Sequence, residues 1–214
     1  EAERKFETAI DQQIDAYVEL IPTDPDTSLR LLNQLRAKLG TPSSKRLHYR
    51  VEANIAACNF ELGRDELAAD QFVATYDIDP THGNAAANKA LGLLIKKDIV
   101  GLKQFASDTL RASPDNATLA GYLIQGLAHD QTIEDPLALV PKELHGKPHV
   151  QISYIRWLMD RGAPGQWRES AILEYERAPE TEELSEYYAN ALLDAVVEQT
   201  GFETGYQLDE QQAK

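Results

Sequence analysis

Cysteine, methionine and tryptophan are scarce in this chain, at one, one and two among 214 residues. A lone cysteine excludes an internal disulfide framework, so side-chain packing must hold the fold. It leaves the compartment open, with the cytoplasm the favoured setting. Cys58 lies in the run Asn54-Ile55-Ala56-Ala57-Cys58. No cation stands beside it to stabilise a thiolate, and it reads as a small buried residue. Long apolar runs are missing too: none approaches the roughly 20 residues that cross a bilayer, so no membrane insertion is expected. Strand signals are nearly absent, since no alternating Val, Ile and Thr run reaches five residues. The first residues, Glu1 to Phe6, are charged and lack the pattern of a signal peptide. The chain does not open on methionine, as expected of a trimmed form, a mature form or a piece of a longer protein.

Positive charge is also in short supply. Lys and Arg number 21 against 35 Asp and Glu, a formal net charge of −14. Phosphate backbones and anionic membrane surfaces are repelled on average, which argues against nucleic-acid binding. The imbalance is uneven. From Thr27 to Val51 there is no acidic residue, while Arg30, Arg36, Lys38, Lys45, Arg46 and Arg50 all fall there. That stretch either balances neighbouring acidic helices or meets an acidic segment of a partner. Six glutamates between Glu174 and Glu186 read as a solvated face or helix start.

What the chain does contain is Ala and Leu in a background that is 43% hydrophobic, enough for a continuous core of close-packed helices. It also contains a period. Pro80, Pro114 and Pro148 are spaced by 34 residues each, and Asn84-Ala85 and Asn116-Ala117 follow the first two. A proline ends one helix and suits the start of the next. Between Tyr49 and His82, Gly63 follows Leu62 where a first helix must turn. Ala68 and Phe72 lie four apart on a second helix, and Pro80 closes the unit.

This window resembles a tetratricopeptide repeat, whose period is 34 residues. In that resemblance Ala56 and Ala68 let two helices approach and Phe72 fills the gap toward the next unit. The window 83–116 is similar, with Ala90 and Pro114 in place but Leu102 and Ala106 exchanging large for small. Thr118 to His129 forms the next first helix, after which Pro136 and Pro141 leave only a short turn around Leu137 to Leu144. Tyr154, Trp157 and Leu158 share a face of a further helix. After a Gly162-Ala163-Pro164-Gly165 turn, Trp167 to Arg177 makes its partner. Thr181 to Gln199 is expected to cap the array. Upstream, Phe6 to Leu20 and Thr27 to Leu39 form a pair about a Pro22-Thr23-Asp24-Pro25 turn, with Asp26 or Thr27 as cap. The resemblance implies an all-α fold, a right-handed α-solenoid of antiparallel helix pairs. It would form a single domain over 1–200 with a polar tail over 201–214.

Chemistry is hard to find. His145 and His149 are four apart, but Gly146-Lys147-Pro148 intervenes and makes the segment a turn, so both read as loop histidines rather than zinc ligands. His129-Asp130 and Glu134-Asp135 read as a polar helix end. Ser28, Ser43, Ser44, Ser113 and Ser185 read as caps and turns. There is no Gly-rich phosphate loop, nucleophile elbow or Cys-x-x-Cys. No catalytic residue, cofactor or metal ligand is therefore expected, and the chain is read as a non-enzyme.

The resemblance implies instead a concave groove lined by successive first helices. Projected onto this chain, the partner-binding residues are Arg50, Ala53, Asn54, Asn84, Ala87, Asn88, Tyr122, Gln125 and Arg156. Ala53, Ala57, Ala87 and Gly121 are expected to leave room for a bound segment. Asn54 and Asn88, 34 apart, are placed to hydrogen-bond an extended backbone. One tetratricopeptide subclass clamps a C-terminal carboxylate with Lys and Asn, but Ala53 and Ala57 occupy those places, so that role does not carry over. The function expected is a scaffold or adaptor that holds a protein or peptide partner, including one with an acidic segment. The alternative is an accessory repeat domain of a larger assembly, secretion or chaperone protein, bacterial in origin, whose catalytic part lies elsewhere. The oligomeric state is left open.

Overall fold

The computed structural model describes residues 2–39, 44–161, 164–177, 185, 186 and 188–191. Among them are nine α-helices and two 3-10 turns, and no strand. In chain order the helices are α1 (Ala2–Val18), α2 (Pro25–Leu39), α3 (Lys45–Glu61), α4 (Asp65–Ile78), α5 (Ala85–Ile95), α6 (Ile99–Ala112) and α7 (Ala117–Leu127). The two 3-10 turns, Pro136–Leu139 and Lys142–Leu144, come next, then α8 (Pro148–Asp160) and α9 (Pro164–Arg177). The expected helix over Thr181 to Gln199 and the polar tail lie outside the described residues, apart from helical backbone at 185, 186 and 188–191.

Helix starts follow from short polar side chains that accept from the first free amides. Ser44 accepts from Leu47 N, Asp98 from Gly101 N at 2.9 Å and Asn116 from Leu119 N at 3.0 Å. The cap of α2 is Asp24, which accepts from Thr27 N at 3.0 Å, rather than Asp26 or Thr27. Pro25 is already helical, because its fixed φ suits the first helical position. Pro148 and Pro164 likewise open α8 and α9, so the connections before them are shorter than the sequence suggested. Ser28 is no cap either. It is fully buried, its hydroxyl donates to Tyr17 O at 2.7 Å, and the Cys58 thiol donates to it at 3.3 Å. One hydroxyl thus ties α1, α2 and α3 together.

Each helix packs on its neighbour in chain order, and α1 also meets α3 as α5 meets α7. The close contacts recur at the 34-residue period. Cys58 faces Ser28 of α2, Gly92 faces α4 and Gly126 faces α6. A Cβ on Gly92 would stand 2.7 Å from Ala69 O and 2.9 Å from Val73 Cγ2, and one on Gly126 would stand 2.4 Å from Leu102 Cδ2. The exchange of large for small at Leu102 and Ala106 is thereby accommodated. Leu102 is fully buried against the space that Gly126 leaves, whereas Phe72 packs with Ala56, Ala68, Leu91 and Ile95. Phe72, Ala106, Val140 and Glu174 stand 34 apart in turn, and all four are buried. Where Pro136 and Pro141 forbid a full second helix, the two 3-10 turns still deliver Pro136, Val140 and Leu144 to the core.

His145 is not the solvent-facing loop residue the sequence suggested. Its Nε2 lies 3.0 Å from both Leu137 O and Val140 O. Both are acceptors, so Nε2 carries the proton and clips the first 3-10 turn in place. His149 is the second residue of α8 and is exposed.

Two backbone positions mark helix ends. Gly63, at φ 69°, lets the chain reverse after α3, and Lys97, 34 residues later, does the same after α5 at φ 57°. The left-handed region costs a residue with a Cβ roughly 1 kcal/mol that glycine does not incur.

In urea denaturation, Gly92→Ala is expected to lose about 1–3 kcal/mol through overpacking against backbone. Gly83→Ala, with nothing within 4 Å of its added Cβ, serves as the neutral control. Equal midpoints for the two would remove the close-contact argument. Lys97→Gly is expected to gain about 1 kcal/mol by relieving the positive φ, and a loss of stability would show that its side chain contributes more than its strain costs.

Candidate binding groove

Five of the nine projected residues converge on one cleft. Arg50, Ala53 and Asn54 reach it from α3, Asn84 stands just before α5 and Asn88 comes from α5, around a space of about 420 Å³ walled by Tyr49, Phe60 and Leu91. A second cleft of about 400 Å³ takes in Gln125 and Arg156 beside Leu94, Ile95 and Trp157. Phe60, 40% exposed, lines both clefts. Two projected residues line neither. Ala87 is buried, and Tyr122 is half-buried against the large core, where burial pushes its phenol pKa up. The room expected beside Gly121 is taken by the chain itself, since a Cβ there would meet His149 O at 2.9 Å and Ser153 Oγ at 3.0 Å.

The polar groups of the groove are organised by internal bonds. Asn54 Nδ2 donates to Arg50 O at 2.7 Å, one turn back on α3. Asn88 Nδ2 donates to the Tyr49 hydroxyl at 2.7 Å, linking α5 to α3, and Gln125 Nε2 donates to Ser153 Oγ at 3.0 Å, linking α7 to α8. Each amide therefore has its orientation set before any partner arrives. Burial drives the Tyr49 pKa up to about 12, against a smaller lowering from the Asn88 bond, so the phenol stays neutral.

Three of the six cations of the basic stretch, Arg36, Arg46 and Arg50, find carboxylates within the chain. Arg46 makes a forked pair with Asp11 of α1 at 3.0 and 2.6 Å, and Arg50 bonds Asp11 and Asp15. Arg36 meets Glu52 at 3.3 Å. Burial pushes the Asp11 carboxyl up, but its hydrogen bonds to Arg46 and Arg50 outweigh this and hold it below the usual range. These cations brace α1 against α3.

The sequence reading missed Tyr49, Phe60 and His82. Phe60 carried one legible signal, an aromatic placed just before the Leu62-Gly63 turn, where a helix end leaves side chains uncovered. His82 stacks on Tyr49 with ring centroids 4.1 Å apart, and its Nδ1 accepts from Asn84 N at 3.3 Å. A further cleft of about 1070 Å³ lies between the α4–α5 connection, α6 and the start of α7. At its wall Lys89 Nζ sits 4.6 Å from the Tyr76 ring centre and 4.7 Å from that of Phe105. None of the projected groove residues lines it. Among the described residues no group of three or more His, Cys, Asp or Glu is placed to hold a metal ion, and no helix is long and apolar enough to cross a membrane.

Burial holds the His82 pKa below 6.5, Asp79 opposes this, and Arg50 and Arg46 reinforce it. The folded protein thus binds fewer protons here than the unfolded chain. The contribution is whole above 6.5 and is lost as pH falls through that value toward the folded pKa. Urea midpoints for the parent should drop from pH 7.5 to pH 5, and His82→Phe, which keeps the ring stack, should flatten that part of the slope. An unchanged slope would place the titration elsewhere.

No family model, curated protein or solved structure matches this chain.

Proposed function

We propose that the chain is a non-catalytic interaction module. In this reading it is a short right-handed α-solenoid of the tetratricopeptide type, which holds a peptide or partner helix in its concave groove and serves as a scaffold or adaptor. The observation that carries the reading is a pair of clefts, one reaching Tyr49 and the other Arg156, that share Phe60, whose side chain stays 40% exposed. An exposed aromatic flanked by oriented amides suits peptide capture: the ring takes an apolar side chain, and the amides meet backbone groups. The 34-residue recurrence of close helix contacts at Cys58, Gly92 and Gly126 supports the repeat architecture.

Random peptides displayed on phage, panned against the immobilised chain, test the reading. A related family of peptides should be enriched and should bind with micromolar affinity, about −8 kcal/mol. Phe60→Asp and Asn54→Ala, both on the groove surface, should weaken that binding about tenfold or more with the melting curve unchanged. No enrichment, or binding indifferent to both changes, would overturn the reading.

A further inference from the structure

The bonds that fix the groove also decide which chemistry it presents. Asn54, Asn88 and Gln125 each direct an amide N–H to an acceptor within the chain. Their carbonyl oxygens have no partner among the described residues, so the amides present acceptors. Carboxylates add to this. Glu61 lines the first cleft, and Asp65 and Asp160 line the second. Among the described residues no cation lies within 4.0 Å of any of the three. Arg50 is held by Asp11 and Asp15, and Arg156 is already engaged by the chain. Lys97 and His129 line the second cleft together with Asp65 and Asp160. Amide oxygens and carboxylates without a cation among the described residues thus line both clefts beside an exposed aromatic ring, in a chain of net charge −14.

We propose that the groove takes a basic peptide segment of a partner protein, with Lys or Arg side chains on Glu61, Asp65 and Asp160 and an apolar side chain on Phe60. The inference rests on the groove reading above and names the partner's chemistry. Lys and Arg offer only donors, which is what the free carbonyl and carboxylate oxygens lack. Their aliphatic stems suit the apolar wall of Leu91, Leu94 and Ile95. Long-range attraction to the acidic chain raises the encounter rate, and the groove supplies the register.

The test titrates isotope-labelled protein with three capped synthetic peptides of equal length that alternate Leu with Lys, with Glu or with Ser. Amide shifts are followed at Asn54, Phe60 and Asn88. The Lys peptide should bind best, and raised salt should weaken it. The triple variant Glu61→Gln, Asp65→Asn, Asp160→Asn should reduce its affinity about tenfold. A control, Glu134→Gln, Glu143→Gln, Glu176→Gln, removes the same charge from exposed positions off the groove and should leave affinity nearly unchanged. Equal weakening by both triples would overturn the inference, because attraction to net charge would then suffice. Groove shifts with the Glu or Ser peptide but not with the Lys peptide would also overturn it while leaving the groove reading in force. No groove shift with any peptide, joined to failure of the phage selection, would sink both.

Discussion

Close approach between one helix and the helix before it is the constraint on which the rest of this molecule depends. The contact is made at a small residue that recurs every 34 positions: Cys58 over α2, Gly92 over α4 and Gly126 over α6. At Gly92 even one methyl group would reach the carbonyl of Ala69. Backbone cannot yield as a flexible side chain can, so the register of α5 on α4 is set there. The next step of the period is Asp160, and it is exposed. The segment before α8 is a pair of 3-10 turns rather than a helix, so the period has no preceding helix at this step. The rule lapses where its physical cause is absent.

The groove is a consequence of the same spacing. Positions 53, 87, 121 and 155 face inward and are buried throughout, whereas 54, 88, 122 and 156 lie one residue further round and stay partly or fully open. A rotation of one residue, about 100°, separates core from surface on a helix. Bonds from Asn88 to Tyr49 and from Gln125 to Ser153 then cross between helices, so the groove wall and the helix packing support each other. Along α3, Arg46 and Arg50 are drawn to Asp11 and Asp15 and fasten α1. Cations that look available in the sequence therefore act as struts.

Much of this was legible in the sequence, for identifiable reasons. Prolines at a fixed interval, Gly63 after Leu62, and Ala68 with Phe72 report helix ends and packing through local chemistry, and local chemistry survives folding. Cys58 reads as a small buried residue from the sequence and is one, but its period with Gly92 and Gly126 is hidden, because Cys and Gly differ in kind and share only their size. Burial at Pro136 and Val140 was hidden by the helix-breaking prolines around them, which alter backbone form without moving the apolar contacts. The role of His145 depends on carbonyls five and eight residues away in a turn of unpredictable shape. Phe60 and His82 gain their places in the groove from helices distant in sequence, and no local pattern encodes that.

Glu174 shows how far the period carries and where it strains. It occupies the place held by Phe72, Ala106 and Val140 in the preceding units and is 3% exposed. A carboxylate there meets the desolvation that an apolar side chain would welcome. Burial pushes its pKa up, and the Arg177 guanidinium at 2.7 Å offsets this only in part. Arg177 is itself 57% exposed, so water screens the attraction that would have to balance the cost. The sign follows: with a raised folded pKa, the folded state holds its proton more tightly than the unfolded chain, and this site is relieved as pH falls. His82 runs the other way, losing stability as pH falls below 6.5. The two sites oppose each other, and the lowered carboxyl of Asp11 adds to the loss on acidification, so separating the contributions requires changing one at a time.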